Sequence, residues 1–179
     1  DSLSLLQVLK LTTQSIIDIG SGAGFPGLPL KLACPQIKLT LLEATRKKVE
    51  FLKHLVLIFS LQDVEIIAGR AEEVVKEKRE SFDLAIARAV AQLNVLSEYC
   101  LPFVKLGGLF VAYKEAAVES EVDKALKGIA LLGGKLREIK KVRLPDSEII
   151  RSLVVIEKIS PTPAKFPRRA GLAKKRPLQ

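Results

Sequence analysis

"SIIDIGSGAGFPGLPL", residues 15–30, runs a short apolar segment into a glycine-dense corner. Asp18 ends the apolar lead, and Gly20, Gly22, Gly24 and Gly27 follow. Glycine loses the most conformational freedom on ordering and offers no side chain to pack. A cluster of this kind therefore marks a backbone that takes positive φ or lies against another molecule. The corner reads as the floor of a site for a nucleotide-like ligand. Residues 22–27 also satisfy G-x-G-x-x-G, so the pattern alone leaves a dinucleotide open.

Outward from the corner, strand and helix patterns alternate. Residues 2–9 are leucine-rich and read as a helix, and 15–19 as a buried strand. Helices are expected at 27–34, 46–61, 70–80, 90–103 and 116–132, with strands at 38–43, 64–69, 82–87 and 107–114. In the 46–61 helix, Val49, Leu52, Val56 and Phe59 recur at helical spacing. Residues 135–144 and 149–159 read as two further strands joined by too short a link for a crossover helix, so they must be antiparallel. Strands alternating with helices imply a parallel sheet covered on both faces, and right-handed crossovers make it doubly wound. The expected fold is α/β, a doubly wound, mostly parallel seven-stranded sheet closed by a C-terminal antiparallel hairpin. That layout is the one used by S-adenosylmethionine-dependent methyltransferases.

In such sheets ligands sit beyond the carboxyl ends of the strands, where strand order reverses. The start of the helix after the corner is expected to offer free amides to a polar ligand. Asp18 suits a ligand with a cationic amino-acid end and repels a pyrophosphate, and Pro26 is awkward where amides should meet phosphate. Both favour S-adenosylmethionine over NAD. Glu43, at the end of the second strand, can accept both ribose hydroxyls. Ala71 and Glu72, after the third strand, are placed to contact an adenine edge. Arg88 ends the fourth strand within residues 87–90 and Lys114 ends the fifth. Both are candidate substrate contacts, Arg88 a cofactor contact as well. A structural pairing of Arg88 with Glu43, Glu72 or Asp83 is the plainer alternative. An NAD-dependent Rossmann oxidoreductase and a non-catalytic RNA-binding module with a vestigial pocket stand as rival functions.

The length of 179 residues suits one domain with a sizeable core. Apolar residues make up 48% of the chain, and mean hydropathy is +0.23. No apolar run reaches the roughly 20 residues of a membrane span, and no secretory leader is visible, so a cytoplasmic protein is expected. The chain has no methionine and starts at Asp1, which leads us to expect that the natural protein extends further. Cys34 and Cys100 show no metal spacing and read as buried reduced thiols, and no metal is expected. His54 reads as a surface residue. The net charge is +9, concentrated near the C terminus. Lys158, Lys165, Arg168, Arg169, Lys174, Lys175 and Arg176 have no acidic neighbour between 158 and 179. Pro161, Pro163, Pro167 and Pro177 forbid one continuous helix there. The division expected is a methyltransferase domain over 1–159 and a basic Pro-rich tail over 160–179. Arg168, Arg169, Lys174, Lys175 and Arg176 are the candidate RNA contacts, with Phe166 an apolar anchor that could fold the tail back over the cleft.

"DIGSGAGFPGLPLKL", "LLEATRKKVEFLK", "GRAEE", "FDLAIARAVAQLNVLSEYCLPF" and "PTPAKFPRRAGLAKKRPL" together resemble the glucose-inhibited division protein B family over nearly the whole chain. The resemblance implies a bacterial guanine-N7 methyltransferase of small-subunit (16S) ribosomal RNA using S-adenosyl-L-methionine. It maps cofactor contacts onto Gly20, Phe25, Glu43, Ala44, Thr45, Ala71, Glu72 and Arg88. With the reading of the corner, the cofactor set is completed by Asp18, Gly22 and Gly24. The implied partner is 16S rRNA or the small ribosomal subunit, with no membrane, and a monomer is expected.

Overall fold

A computed structural model describes residues 1–88 and 90–178. Ala89, in the 87–90 strand end, and Gln179, in the tail, lie outside the described residues. Seven strands form one sheet: β1 Ser15–Ile19, β2 Lys38–Glu43, β3 Val64–Ala68, β4 Phe82–Arg88, β5 Val104–Glu115, β6 Gly134–Arg143 and β7 Ile150–Lys158. Their order is β3-β2-β1-β4-β5-β7-β6. β1 to β5 pair in parallel, and β7 enters antiparallel between β5 and β6. Strand order reverses at β1/β4, which opens a crevice over their carboxyl ends.

The helices are α1 Gly27–Ala33, α2 Arg46–Ile58, α3 Ala71–Lys78, α4 Leu93–Cys100, α5 Glu119–Leu131 and α6 Leu172–Lys175. Each face of the sheet has its own apolar layer. Ile16, Leu39, Leu41 and Ile86 pack with Leu5, Leu28 and Leu52 on one side. Ile17, Ala85, Phe110 and Val154 pack with Leu96, Phe103, Ala125 and Ile129 on the other. Two continuous apolar faces are what β-α-β crossovers require.

Several boundaries differ from the sequence reading for local reasons. The leucine-rich start is a 3₁₀ turn, Ser2–Gln7, not an α-helix. The helix expected over 46–61 stops at Ile58, with Phe59 half exposed and Ser60 at φ +49°. The helix expected over 90–103 is Leu93–Cys100, followed by a 3₁₀ turn, Leu101–Phe103, which brings Pro102 into the connection to β5. β5 starts earlier than expected, because its pairing with β4 shifts register between Phe82 and Leu84 and resumes beyond. Cys100 is buried but Cys34 is only half-buried, and both are free thiols. His54 is exposed on α2.

The basic segment is not a free tail. Phe166 is 4% exposed and Ala173 1%, both inside the core layer on the α4 side. Arg79 donates to the carbonyls of Thr162, Pro163 and Phe166 at 2.6–3.1 Å. Residues 160–178 therefore fold as part of the body.

Candidate active site

The glycine corner is held from below by Asp18. Its Oδ2 accepts the Gly27 N–H at 2.9 Å, and its Oδ1 has no partner. The side chain is wholly buried. A Cβ at Gly27 would lie 2.8 Å from Asp18 Oδ2 and from Leu41, so this glycine exists for close packing. The reading of Asp18 as a direct contact to a ligand is corrected on this point. β1 is central, and its Asp18 turns beneath the loop instead of into the cleft. The start of α1 offers little to a phosphate either. The Gly27 N–H is taken by Asp18, Leu28 donates to the Gly24 carbonyl at 2.8 Å, and Pro29 has no N–H. The expectation of free amides is overturned.

Burial pushes the Asp18 carboxyl up to about 7, against the lowering effects of the Gly27 N–H and Arg88. The folded state thus keeps a proton that the unfolded chain releases near the ordinary carboxyl value of 3.8. This stabilising contribution is complete below about pH 4 and is lost as pH rises to about 7, by up to about 4 kcal/mol. Urea unfolding of wild type and Asp18→Asn from pH 4 to 8 is the check. The stability of wild type relative to the variant is expected to fall across that window. A constant difference would contradict a carboxyl buried in this way.

Above the floor, a cavity of about 520 Å³ opens over the ends of β1, β2, β3 and β4. Gly20, Gly22, Phe25, Glu43, Ala44, Ala71, Glu72 and Arg88 line it. Glu43 is fixed by two backbone donors, the Thr45 N–H at 2.8 Å and the Gly22 N–H at 3.0 Å. Burial opposes its charge, but these hydrogen bonds and Lys48 outweigh it and hold the carboxyl below its usual range. An ionised acceptor stands at the end of β2.

Thr45 and Gly24 do not line the cavity. Thr45 occupies the N-cap position of α2 without a side-chain capping bond, and its N–H orients Glu43; a Cβ at Gly24 would collide with Leu28. Arg88 pairs with Asp1 Oδ2 at 3.1 Å and stacks over Phe25, its Cζ 5.3 Å from the ring centroid. None of the three pairings expected for it is the one formed. Glu72 accepts the Gly171 N–H at 3.1 Å, a partner 99 residues away.

Sequence reasoning missed Tyr99, Arg70 and Gly171 as lining residues. Lys174, read as an RNA contact, also lines the cavity. Arg168 is corrected: its guanidinium grips both oxygens of Glu98, which is 0% exposed. It faces the protein, not a phosphate. Arg169, Lys174, Lys175 and Arg176 are exposed.

Beside the first cavity lies a second of about 400 Å³, lined by Arg88, Tyr113, Lys114, Glu121 and Arg151 among others. Lys114 Nζ donates to the Ala91 carbonyl at 2.8 Å and pairs with Glu121 Oε1 at 2.5 Å. Arg88 is common to both cavities. Among the described residues, no cluster of His, Cys, Asp and Glu could hold a metal ion.

The residues fit S-adenosylmethionine on three counts. The cavity volume lies within the roughly 300–1,000 Å³ of small-molecule sites. Glu43 supplies an ionised acceptor for hydroxyls, and the α1 amides are withheld from phosphate. A seven-stranded sheet in this order, with its cleft at the β1/β4 switch, defines the S-adenosylmethionine-dependent methyltransferase fold. Solved structures share it. Precorrin-6y C5,15-methyltransferase from Geobacter metallireducens superposes with a TM-score of 0.65 at 15% identity, over 88% of this chain and 87% of that one. TYW2 from M. jannaschii, solved in complex with AdoMet, gives 0.68 at 16% identity, over 87% and 74%.

The family model for rRNA small subunit methyltransferase G, GidB, matches residues 1–150. The ribosomal RNA small subunit methyltransferase G of Alkaliphilus metalliredigens is 50% identical over 182 residues, which is 100% of this chain and 76% of that protein. The chain belongs to the rRNA small subunit methyltransferase G family.

Proposed function

We propose that this protein transfers the methyl group of S-adenosylmethionine to N7 of a guanine in 16S ribosomal RNA. The observation that carries the reading is the pair of adjoining cavities joined at Arg88, one floored by the glycine corner and one walled by Tyr113, Lys114 and Arg151. When bound, S-adenosylmethionine supplies an electrophilic methyl group on a positively charged sulfur. Glu43, already oriented by Gly22 and Thr45, accepts the ribose hydroxyls with its remaining lone pairs. Arg88 lines both cavities, with Phe25 of the first cavity under its guanidinium, and the pair would help to shield the line between donor and acceptor once both are bound. Guanine N7 carries a free lone pair and no proton at neutral pH. The chain therefore needs no general base, in keeping with its one histidine lying exposed on α2. The protein's contribution is alignment and desolvation, worth up to roughly 7–11 kcal/mol of barrier.

The NAD reading is disfavoured by the antiparallel β7 between β5 and β6 and by the engaged α1 amides. No helix among the described residues is long and apolar enough to cross a membrane. A monomer working in the cytoplasm, where ribosomal RNA is made, is the setting this reading implies. Incubation with methyl-labelled S-adenosylmethionine and 16S rRNA, followed by nucleoside analysis, is the test. Label in 7-methylguanosine is expected. Cofactor binding without transfer to any ribosomal RNA substrate, free or assembled, would leave the non-catalytic alternative standing.

RNA contact is assigned to the exposed Arg169, Lys175 and Arg176, with Arg168 removed from the set. The triple alanine variant of these three is expected to flatten the salt dependence of RNA binding, the log–log slope falling by up to about 2, at roughly 0.7 per single-strand phosphate contact. Affinity measured against salt concentration checks this. Coincident slopes for variant and wild type would move the RNA surface elsewhere.

A further inference from the structure

The C-terminal segment is fastened at successive points before it reaches the cleft. Glu80 Oε1 accepts the Thr162 N–H at 2.8 Å, and the buried Lys158 ammonium donates to Thr162 Oγ1 and to the Leu101 carbonyl. Arg79 binds the next carbonyls, and Phe166 enters the core. Glu98 then accepts both the backbone N–H and the guanidinium of Arg168. Glu72 accepts the Gly171 N–H. Ala173 is buried behind the turn, so Gly171 and Lys174 are presented to the cavity beside Ala71, Glu72 and Tyr99. Two acids on α3 and α4 therefore hold one edge of the cavity in place through the segment, and Glu98 does so without lining the cavity.

We propose that residues 168–174 form a wall of the cofactor site, and that Glu72 and Glu98 are positioning residues which hold this wall through Gly171 and Arg168. The proposal rests on the reading of the first cavity as the S-adenosylmethionine site. It gives the segment a second role beside RNA contact: its inner edge closes the pocket while its exposed cations face outward. Gly171 has φ +79°, and a Cβ there would meet nothing within 4 Å. Proline at this position removes the N–H that Glu72 accepts and forbids the positive φ. Gly171→Pro therefore undocks the edge with no large atom forced into the core.

Calorimetric titration with S-adenosylhomocysteine is the experiment, on wild type, Gly171→Pro, Glu72→Leu and the double variant. Wild type is expected to bind. Each single variant is expected to weaken binding by about tenfold or more, the scale of one hydrogen bond to a charged group. If Glu72 acts through Gly171, the double variant is expected to bind about as weakly as the worse single variant. The KM for S-adenosylmethionine should rise while kcat at saturation stays within about twofold, because the wall contacts the donor equally in ground and transition states. A merely structural lesion would instead lower kcat with the folded fraction. Losses that add in the double variant, or wild-type affinity in Gly171→Pro, would overturn the proposal alone. Failure of wild type to bind would overturn the cofactor reading with it. If Gly171→Pro does not fold, Glu72→Gln, which keeps an acceptor, should bind at least fivefold more tightly than Glu72→Leu, on the order of the same hydrogen bond. Equal affinities for those two would overturn it.

Discussion

Replacing Arg168 by alanine is expected to destabilise the fold by about 3–5 kcal/mol, the loss seen when one partner of a buried ion pair is removed. Glu98 is 0% exposed on α4 and depends on the guanidinium for both oxygens, at 2.5–3.1 Å. After the substitution only the residue-168 backbone N–H remains to it. At about 2–4 °C per kcal/mol for a chain of this size, the melting temperature should drop on the order of 10 °C. Arg169→Ala, one residue on and exposed, should change stability by less than about 0.5 kcal/mol. Thermal unfolding of the two variants side by side is the measurement. If Arg168→Ala kept its melting temperature and lost RNA affinity, the arginine would be a phosphate contact after all.

Gly22→Val is expected to abolish useful cofactor binding and leave the sheet folded. Gly22 sits at φ +60°, and its N–H orients Glu43 at 3.0 Å. A Cβ there would find only the Gly20 carbonyl, at 3.9 Å, so no clash with the core arises. The penalty is backbone strain, of order 1–3 kcal/mol for a non-glycine residue in the left-handed region and severe for a β-branched one. The loop would relax to negative φ and release Glu43. S-adenosylhomocysteine affinity should fall on the order of 100-fold, with far-ultraviolet circular dichroism unchanged. Normal affinity in this variant would remove the corner from the cofactor site.

The strands and the alternation of elements were readable because buried parallel strands are short apolar runs, as at Ile16–Ile17, Leu39–Leu42 and Leu84–Ala87, set between longer segments of helical pattern. The antiparallel close was readable because too few residues separate β6 from β7 for a crossover. Element ends were less readable. The register shift between Phe82 and Leu84 and the 3₁₀ turn at Leu101–Phe103 arise from pairing and packing with distant residues.

Glu43 illustrates how far local pattern reaches into the site. Its place at the end of β2 follows from the strand pattern, and its partners Gly22 and Thr45 follow from the corner and the helix start beside it. Asp18 shows where that reach stops. The carboxylate before the glycines is plain in the chain, but which way it turns depends on Gly27 folding back over it. The sequence by itself thus determined the doubly wound sheet, the glycine corner and the acid at the end of β2, because hydrophobic period, glycine spacing and strand ends act over a few residues. Only the tertiary structure decided that Arg168 faces Glu98, 70 residues away, and that Glu72 holds Gly171, 99 residues away. A basic run looks the same in sequence whether its charges meet solvent, phosphate or a buried carboxylate. The choice depends on Phe166 and Ala173 finding the core and bringing the run across α3 and α4.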